Sequence, residues 1–326
     1  MGDVAVIGAG IAGLAAAGEL AARGLRPVVF DKGRGPGGRV STRRAGAFSF
    51  DHGAQYFTAR ESEFRARVDA WLAAGAVARW DARIVAFENG TRRASSDPIA
   101  RYVGTPEMNA LPKHLARGLD VRCSLRVARA EFRERRWLLR DENEAPLGEF
   151  DALLATLPHA QFIELLGAAT PLSARAATSV VEPCWAVLAG FAARLDTDFD
   201  AAFCNAPALS WIARNSSKPG RSTAESWVLH ATPAWTRAHL EEPKELVAAA
   251  LLREFEHLTG LRLPAPAHLD AHRWRYALPA PVATPEPAWL DHEHQLALAG
   301  DACVGGRVEG AFTSGLAAAR ALFAQR

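Results

Sequence analysis

Val4-Ala5-Val6-Ile7-Gly8-Ala9-Gly10-Ile11-Ala12-Gly13 is the stretch that decides the fold of this chain. Residues 4–7, apolar and mostly β-branched, read as a buried strand, and the alanine- and leucine-rich run 11–23 reads as a helix. Gly24 ends that helix, and 27–30 gives a second buried strand with Asp31 at its end. Gly8, Gly10 and Gly13 carry the G-x-G-x-x-G spacing, and each has a mechanical reason. One makes a tight turn, one lets backbone approach a pyrophosphate, and one packs helix closely on strand. The helix opening near Ile11 offers free N–H groups and the positive end of its dipole to phosphates. Asp31, 18 residues after Gly13, is placed to bind a ribose hydroxyl. A glycine-rich packing turn would share the spacing. The strand, turn, helix, strand context with an acidic strand end points instead to dinucleotide binding.

Outward from this unit, 326 residues are long for one core and predict two interleaved domains. With 49% apolar and 23% charged residues, the chain has the usage of an ordinary soluble globular protein. A net charge of +2, with no basic run, predicts no nucleic-acid partner. Arginine is abundant and only Lys32, Lys113, Lys218 and Lys244 are lysines, which reads as composition bias. Cys123, Cys184, Cys204 and Cys303 are scattered, without C-x-x-C or a histidine cluster. They read as small buried hydrophobes in a reduced, cytoplasmic compartment, with no metal site. Residues 4–20 imitate a signal-peptide core, but Asp3 and no basic residue precede them, and Val6 spoils a myristoylation signal. No later apolar run reaches about 18 residues, so no membrane span is expected.

Along the chain, Phe64, Val68, Trp71 and Leu72 give helical spacing over 61–75, strands and turns follow over 77–103, and 108–119 reads as another helix. Strands are expected over 125–132, 137–140 and 152–157, with a polar turn at Asp141-Glu142-Asn143-Glu144. Strands at 186–193, 210–214, 226–231 and 268–276 alternate with a helix at 246–258, and prolines crowd 264–287. A buried strand at 295–299 precedes Gly300-Asp301, then Gly305-Gly306-Arg307-Val308-Glu309-Gly310-Ala311 opens an alanine-rich helix.

After Asp31 an NAD-only domain would continue with further β-α units, but Gly35-Pro36-Gly37-Gly38-Arg39-Val40 follows instead. Such a loop can lay amides and one guanidinium along a second stretch of phosphate. The combination resembles the flavin amine oxidase superfamily, which joins a Rossmann start, an acidic strand end and a G-G-R loop. Four further stretches resemble its renalase-like branch. They are Gly38-Arg39-Val40-Ser41-Thr42-Arg43-Arg44, Asp51-His52-Gly53-Ala54-Gln55-Tyr56-Phe57-Thr58, Trp211-Ile212-Ala213-Arg214-Asn215-Ser216-Ser217-Lys218-Pro219-Gly220-Arg221, and Gly300-Asp301 with the glycine-rich run 305–311. The resemblance covers nearly the whole chain and is most specific at its ends.

The resemblance implies noncovalent FAD. By motif, Gly8, Ala9, Gly10, Ile11, Ala12, Gly13, Asp31 and Lys32 would hold its ADP part, and Gly38 and Arg39 would lie by the pyrophosphate. Val127, read on the strand after the 108–119 helix, would face the adenine with its backbone. Gly53, Ala54, Gln55 and Tyr56 would run beside the flavin ring. Asp301, after Gly300, would accept from a ribityl hydroxyl. The helix start at Val308, Glu309, Gly310 and Ala311 would aim its positive end at the ring edge where reduced flavin carries negative charge.

One departure is informative: amine-metabolising relatives place a tyrosine where this chain has Arg307. That cation would repel a protonated amine, and it either favours an anionic dinucleotide or pairs with a nearby carboxylate. Tyr56, Trp211, His230, Trp274 and Tyr276 are the aromatic and imidazole candidates for the pocket, although a lone tryptophan is more often core. His230, between Leu229 and Ala231, reads equally as a satisfied buried histidine or a functional one. Which flavin face is used stays open.

The expected architecture is α/β, a Rossmann-like FAD-binding domain (1–60, 101–160, 290–326) interleaved with an α+β substrate domain on a mixed sheet (61–100, 161–289). The resemblance implies an oxidase that takes hydride from misformed dihydronicotinamide isomers of NAD(P)H and passes electrons to O2, giving H2O2. Hydride loss from a dihydropyridine needs no general base, and no base-plus-orienter constellation stands out. The alternatives are an amine oxidase or desaturase on the same fold, and a flavin-binding protein without turnover.

Overall fold

In the computed structural model, which describes residues 2–88, 91–95 and 98–324, strand Asp3–Ile7 lies inside a six-stranded sheet. It pairs in parallel with Arg26–Phe30 on one side and Ala152–Ala155 on the other. Beyond these lie Asp120–Arg122 on the first side, and Leu296–Leu298 with the antiparallel edge Trp289–Asp291 on the second. Val4 and Val6 pack under helices Ile11–Ala22 and Val308–Leu322, and Ala5 and Ile7 against Trp137 and Phe162. Coverage on both faces is why the strand is continuously apolar instead of alternating. Successive strands are laid first on one side of Asp3–Ile7 and then on the other. Such a switch point opens a crevice at the carboxyl ends of the strands. Gly13 sits where the first helix crosses the turn: a Cβ there would meet the Gly8 carbonyl oxygen at 1.9 Å.

A seven-stranded sheet forms the second layer. Its order is His268–Pro279, Val181–Phe191, Glu225–Ala231, Leu209–Arg214, Ala201–Asn205, Ile84–Glu88, Thr91–Ala94. Ala201–Asn205 runs parallel to Ile84–Glu88 and the other pairs are antiparallel, so the sheet is mixed. Trp185, Val187, Ala189 and Phe191 alternate onto one face and pack with Val247, Leu251 and Phe255 of helix Lys244–Thr259. The opposite face looks toward the Rossmann-like unit, where Leu188 and Val228 meet Phe50. The architecture is α/β, as the sequence predicts. The segment 61–100 is divided: helix Ser62–Ala73 packs on Val308–Leu322 through Phe64, Trp71 and Phe312, while two later strands join the mixed sheet. Positions 89–90 and 96–97 of that segment lie outside the described residues.

Several element boundaries differ from the sequence reading. The helix expected over 108–119 is only Ala110–Leu115, because the Met108 amide donates to Asp51 Oδ1 (3.1 Å) and Gly118 turns at φ 76°. The strand expected over 125–132 begins at Arg129, so Val127 lies in a connector and not on a strand. Leu125 there is held by its amide on the Asp31 carbonyl (3.0 Å), not by a ladder. Strand Ala201–Asn205 and helices His159–Leu166, Pro171–Ala176 and Pro233–Ala238 have no counterpart in the periodicity reading. Among the described residues no helix is long and apolar enough to cross a membrane, and no group of three or more His, Cys, Asp and Glu is arranged for a metal.

Candidate functional site

A cavity of about 1650 Å³ runs from the switch point to the inner face of the mixed sheet. Pockets for one drug-sized molecule span about 300–1,000 Å³, so this one has room for a dinucleotide and a second molecule. At its Rossmann end it is lined by Gly8, Gly10, Ile11, Ala12, Asp31, Lys32 and Val127. Gly38, Arg39, Gly53, Ala54, Gln55 and Tyr56 line the middle, with Gly300, Asp301, Val308 and Ala311 across from them. Trp211, His230, Trp274, Tyr276 and Arg307 complete the lining toward the mixed sheet.

Four of the sequence candidates do not line it. The Ala9 amide donates to Asp31 Oδ2 (2.6 Å), and Gly13 is consumed by packing on Gly8. Gly310 packs on Val304, where a Cβ would come within 2.8 Å of Cγ2. Glu309 turns away: its Oε1 accepts the amides of Arg60 and Glu61, both at 2.8 Å, and so ties down the start of helix Ser62–Ala73.

The Rossmann end fits an ADP-bearing group. A Cβ on Gly10 would meet nothing within 4 Å, and its φ of −79° suits any residue, so no protein neighbour demands glycine there. The open space belongs to the cavity, where a phosphate would come against backbone. No side chain caps helix Ile11–Ala22, which leaves its first-turn amides to a ligand. Asp31 is oriented by the amides of Ala9 and Gly33, each at 2.6 Å. Val127 makes no hydrogen bond through its N–H or C=O among the described residues, which leaves both for an adenine edge.

In the middle, Arg39 donates to both oxygens of Asp301, at 2.9 and 2.5 Å, and to the Ala277 carbonyl at 3.0 Å. Sequence reading placed these two residues separately against a ligand; the fold pairs them, and the pair bridges the G-G-R loop, the Gly-Asp turn and the mixed sheet. Gly53 passes so close to Arg39 that a Cβ would lie 2.0 Å from its carbonyl oxygen. Gln55 is buried and accepts from Lys218 Nζ (3.2 Å) while its amide donates to the Asp51 and Gly53 carbonyls. Asp51 carries the cluster. It accepts from Lys218 (3.2 Å), Arg221 (2.6 Å) and Thr42 (2.7 Å), all three ionic side chains having no exposure. Burial opposes its charge, but the two cations win and hold its pKa down to about 2. Burial, aided by Arg221, lowers Lys218 to about 8.

Toward the mixed sheet the His52 carbonyl accepts from Trp274 Nε1 (2.9 Å) and from His230 Nε2 (3.1 Å). His52 also stacks on Trp274 and meets His272 edge-on. One backbone carbonyl therefore orients two of the predicted pocket residues. Burial lowers His230 to about 4, with the charge of Lys218 adding to it. Burial and Arg43 lower His272 to about 4. Both imidazoles are thus neutral near pH 7. Tyr56 packs on Trp211 at 5.4 Å between ring centres, with the Arg101 guanidinium over its face.

Arg307 stands apart from the other cations of the cavity. Lys32, Arg39, Arg126, Lys244, Arg273 and Arg275 each donate to a side-chain acceptor. The exposed Arg307 side chain makes no hydrogen bond or ion pair among the described residues. Its backbone, at φ 77° and ψ 154°, occupies a region nearly confined to glycine. Of the two sequence readings, pairing with a neighbouring carboxylate is not seen among the described residues.

Residues 83–323 match the family of flavin-containing amine oxidoreductases, nearly three-quarters of the chain, after a match of 6–71 to the NAD(P)-binding Rossmann-like domain. The chain belongs to the flavin-containing amine oxidoreductase family. Membership implies a flavin cofactor and an oxidoreductase. A 4,4'-diapophytoene desaturase (4,4'-diaponeurosporene-forming) of Staphylococcus haemolyticus is 48% identical over 50 residues, 15% of this chain and 10% of that enzyme's length. Among solved structures, a protein of Exiguobacterium sp. 255-15 assigned as a protoporphyrinogen oxidase superposes with a TM-score of 0.80 at 15% identity, covering 100% and 99% of the two chains. A triple mutant of putrescine oxidase gives 0.71 at 13% identity over 100% and 99%. A fatty acid isomerase of P. acnes that produces CLA gives 0.75 at 10% identity over 99% of each. These likenesses share the fold of the flavin amine oxidoreductases across different named reactions.

Sequence reading missed His52, His272 and the Asp51–Lys218–Arg221 cluster. His272 had a signal, since the alternation that aims Trp274 and Tyr276 at the cavity puts position 272 on the same face. The other two depend on contacts between segments more than 150 residues apart.

Proposed function

We propose that the protein is a renalase-like, FAD-dependent oxidase of dihydronicotinamide dinucleotide isomers that uses O2 as acceptor in the cytoplasm. Bound FAD supplies the two-electron chemistry, accepting hydride and returning it with a proton to O2 as H2O2. Arg307, which makes no ion pair among the described residues and lines the same cavity as neutral aromatic and imidazole rings, carries this reading. A planar pyridine matches Trp274 and Tyr276, and the phosphates of its carrier match a free guanidinium. Asp31, Val127 and the first-turn amides of helix Ile11–Ala22 would hold the ADP part of FAD. The tyrosine-to-arginine difference and the lone cation disfavour a protonated amine. Histidines titrating near 4 are weak bases, in keeping with a donor that loses hydride and no proton. Noncovalent binding of the FAD is part of the same reading.

The test is anaerobic mixing of the purified yellow protein with separate 1,2-, 1,4- and 1,6-dihydronicotinamide dinucleotides, and with primary and secondary amines, while the visible flavin band is followed. Rapid bleaching by a 1,2- or 1,6-isomer is expected. Faster bleaching by amines would replace this reading with an amine oxidase, and no bleaching by any donor would leave a flavin-binding protein without turnover.

A further inference from the structure

His230 donates through Nε2 to the His52 carbonyl at 3.1 Å, and a carbonyl can only accept. The ring is neutral near pH 7, so the proton of the imidazole is on Nε2 and Nδ1 carries a lone pair. That Nδ1 makes no hydrogen bond among the described residues, and His230 lines the cavity. The other lining imidazole is arranged in the opposite sense. His272 Nδ1 accepts from Arg43 Nη2 at 3.2 Å, so its Nε2 bears the proton and offers a donor. The Trp274 indole N–H is already spent on the same His52 carbonyl at 2.9 Å. This wall therefore presents one imidazole acceptor, held in place from behind by the loop that lines the cavity. A lone pair repels phosphate and carboxylate and attracts N–H.

We infer that His230 is a specificity residue whose Nδ1 accepts an N–H of a primary carboxamide on the substrate ring, so that the site selects a pyridine-3-carboxamide over pyridines lacking that donor. The inference rests on the dihydronicotinamide reading above. Trp274, fixed by the same carbonyl, supplies the flat neighbour, so one backbone oxygen sets both the face and the hydrogen-bonding edge of the ring.

Calorimetric titration of the flavin-loaded protein with NAD+ and with its 3-acetylpyridine analogue tests this, because the methyl ketone keeps an acceptor and removes the amide N–H. Wild type should bind NAD+ about tenfold more tightly, the size of one well-made hydrogen bond. His230→Ala should erase that preference by weakening NAD+ alone, and should raise KM for the dihydro isomers more than it lowers kcat. His230→Gln keeps an N–H for the His52 carbonyl and an oxygen acceptor, and should restore most of the preference with normal flavin content. A preference that survives in His230→Ala, or is absent from wild type, overturns the assignment of His230 while flavin bleaching by the isomers still stands. If neither dinucleotide binds and no isomer bleaches the flavin, the functional reading falls and this inference with it.

Discussion

Replacing Gly10 by valine separates what the protein needs from what its cofactor needs. In the folded chain a side chain at this position meets no protein atom within 4 Å, and the backbone is in an ordinary extended conformation. The apoprotein should therefore fold, losing only the difference between glycine and valine at a helix N-cap, about 1 kcal/mol. The branched side chain occupies the cavity beside the first-turn amides of helix Ile11–Ala22, where it would displace a pyrophosphate. Losing two charge-assisted hydrogen bonds of about 1.5–3 kcal/mol each weakens FAD by about 3–6 kcal/mol, on the order of 10²–10⁴-fold in Kd. Gly13→Ala is the contrast, because its Cβ would lie 1.9 Å from the Gly8 oxygen and damage the fold itself. The assay is FAD titration of apoprotein by flavin fluorescence, with thermal unfolding of the same samples. Gly10→Val that folds and binds FAD within about threefold of wild type would refute the placement of the pyrophosphate.

Asp31→Ala should weaken FAD binding by about 1.5–3 kcal/mol, read in the same titration, and an unchanged Kd would make Asp31 only an anchor for the Ala9 and Gly33 amides. Arg307→Gly should relieve backbone strain of about 1–3 kcal/mol and raise the unfolding midpoint while raising KM for the dinucleotide isomers. An unchanged KM would remove Arg307 from the substrate site. For pH, His230 and His272 titrate near 4 in the folded chain against 6.5 unfolded. Between those values the unfolded chain binds more protons, so stability is full above about pH 6.5 and falls as pH drops toward 4. At pH 5 each histidine contributes a loss of up to about 2 kcal/mol, and urea unfolding of the flavin-loaded protein should show a smaller acid loss in His272→Gln than in wild type.

What was legible in the sequence is local. The glycine turn, the helix behind it and Asp31 lie within one contiguous stretch, where spacing alone dictates a strand, a tight turn and a helix start. Alternation likewise aimed Trp274 and Tyr276 at one face, because side chains two apart on a strand share a face. The arginine in the place of a tyrosine is visible only through the resemblance to amine-metabolising relatives.

The tertiary structure decided everything that depends on which segments become neighbours. Glu309 lies in the glycine-rich run but turns to the amides of Arg60 and Glu61, 249 and 248 residues away, just before helix Ser62–Ala73. Arg39 and Asp301 face each other across 262 residues, and the His52 carbonyl reaches His230 and Trp274 across 178 and 222. The freedom of Arg307 is of the same kind, since only the packed chain determines that it forms no ion pair among the described residues. Sequence periodicity records which face of an element is apolar, whereas hydrogen bonds and ion pairs require two groups within about 3 Å, a distance set by the packing of the sheets and by nothing in either segment alone.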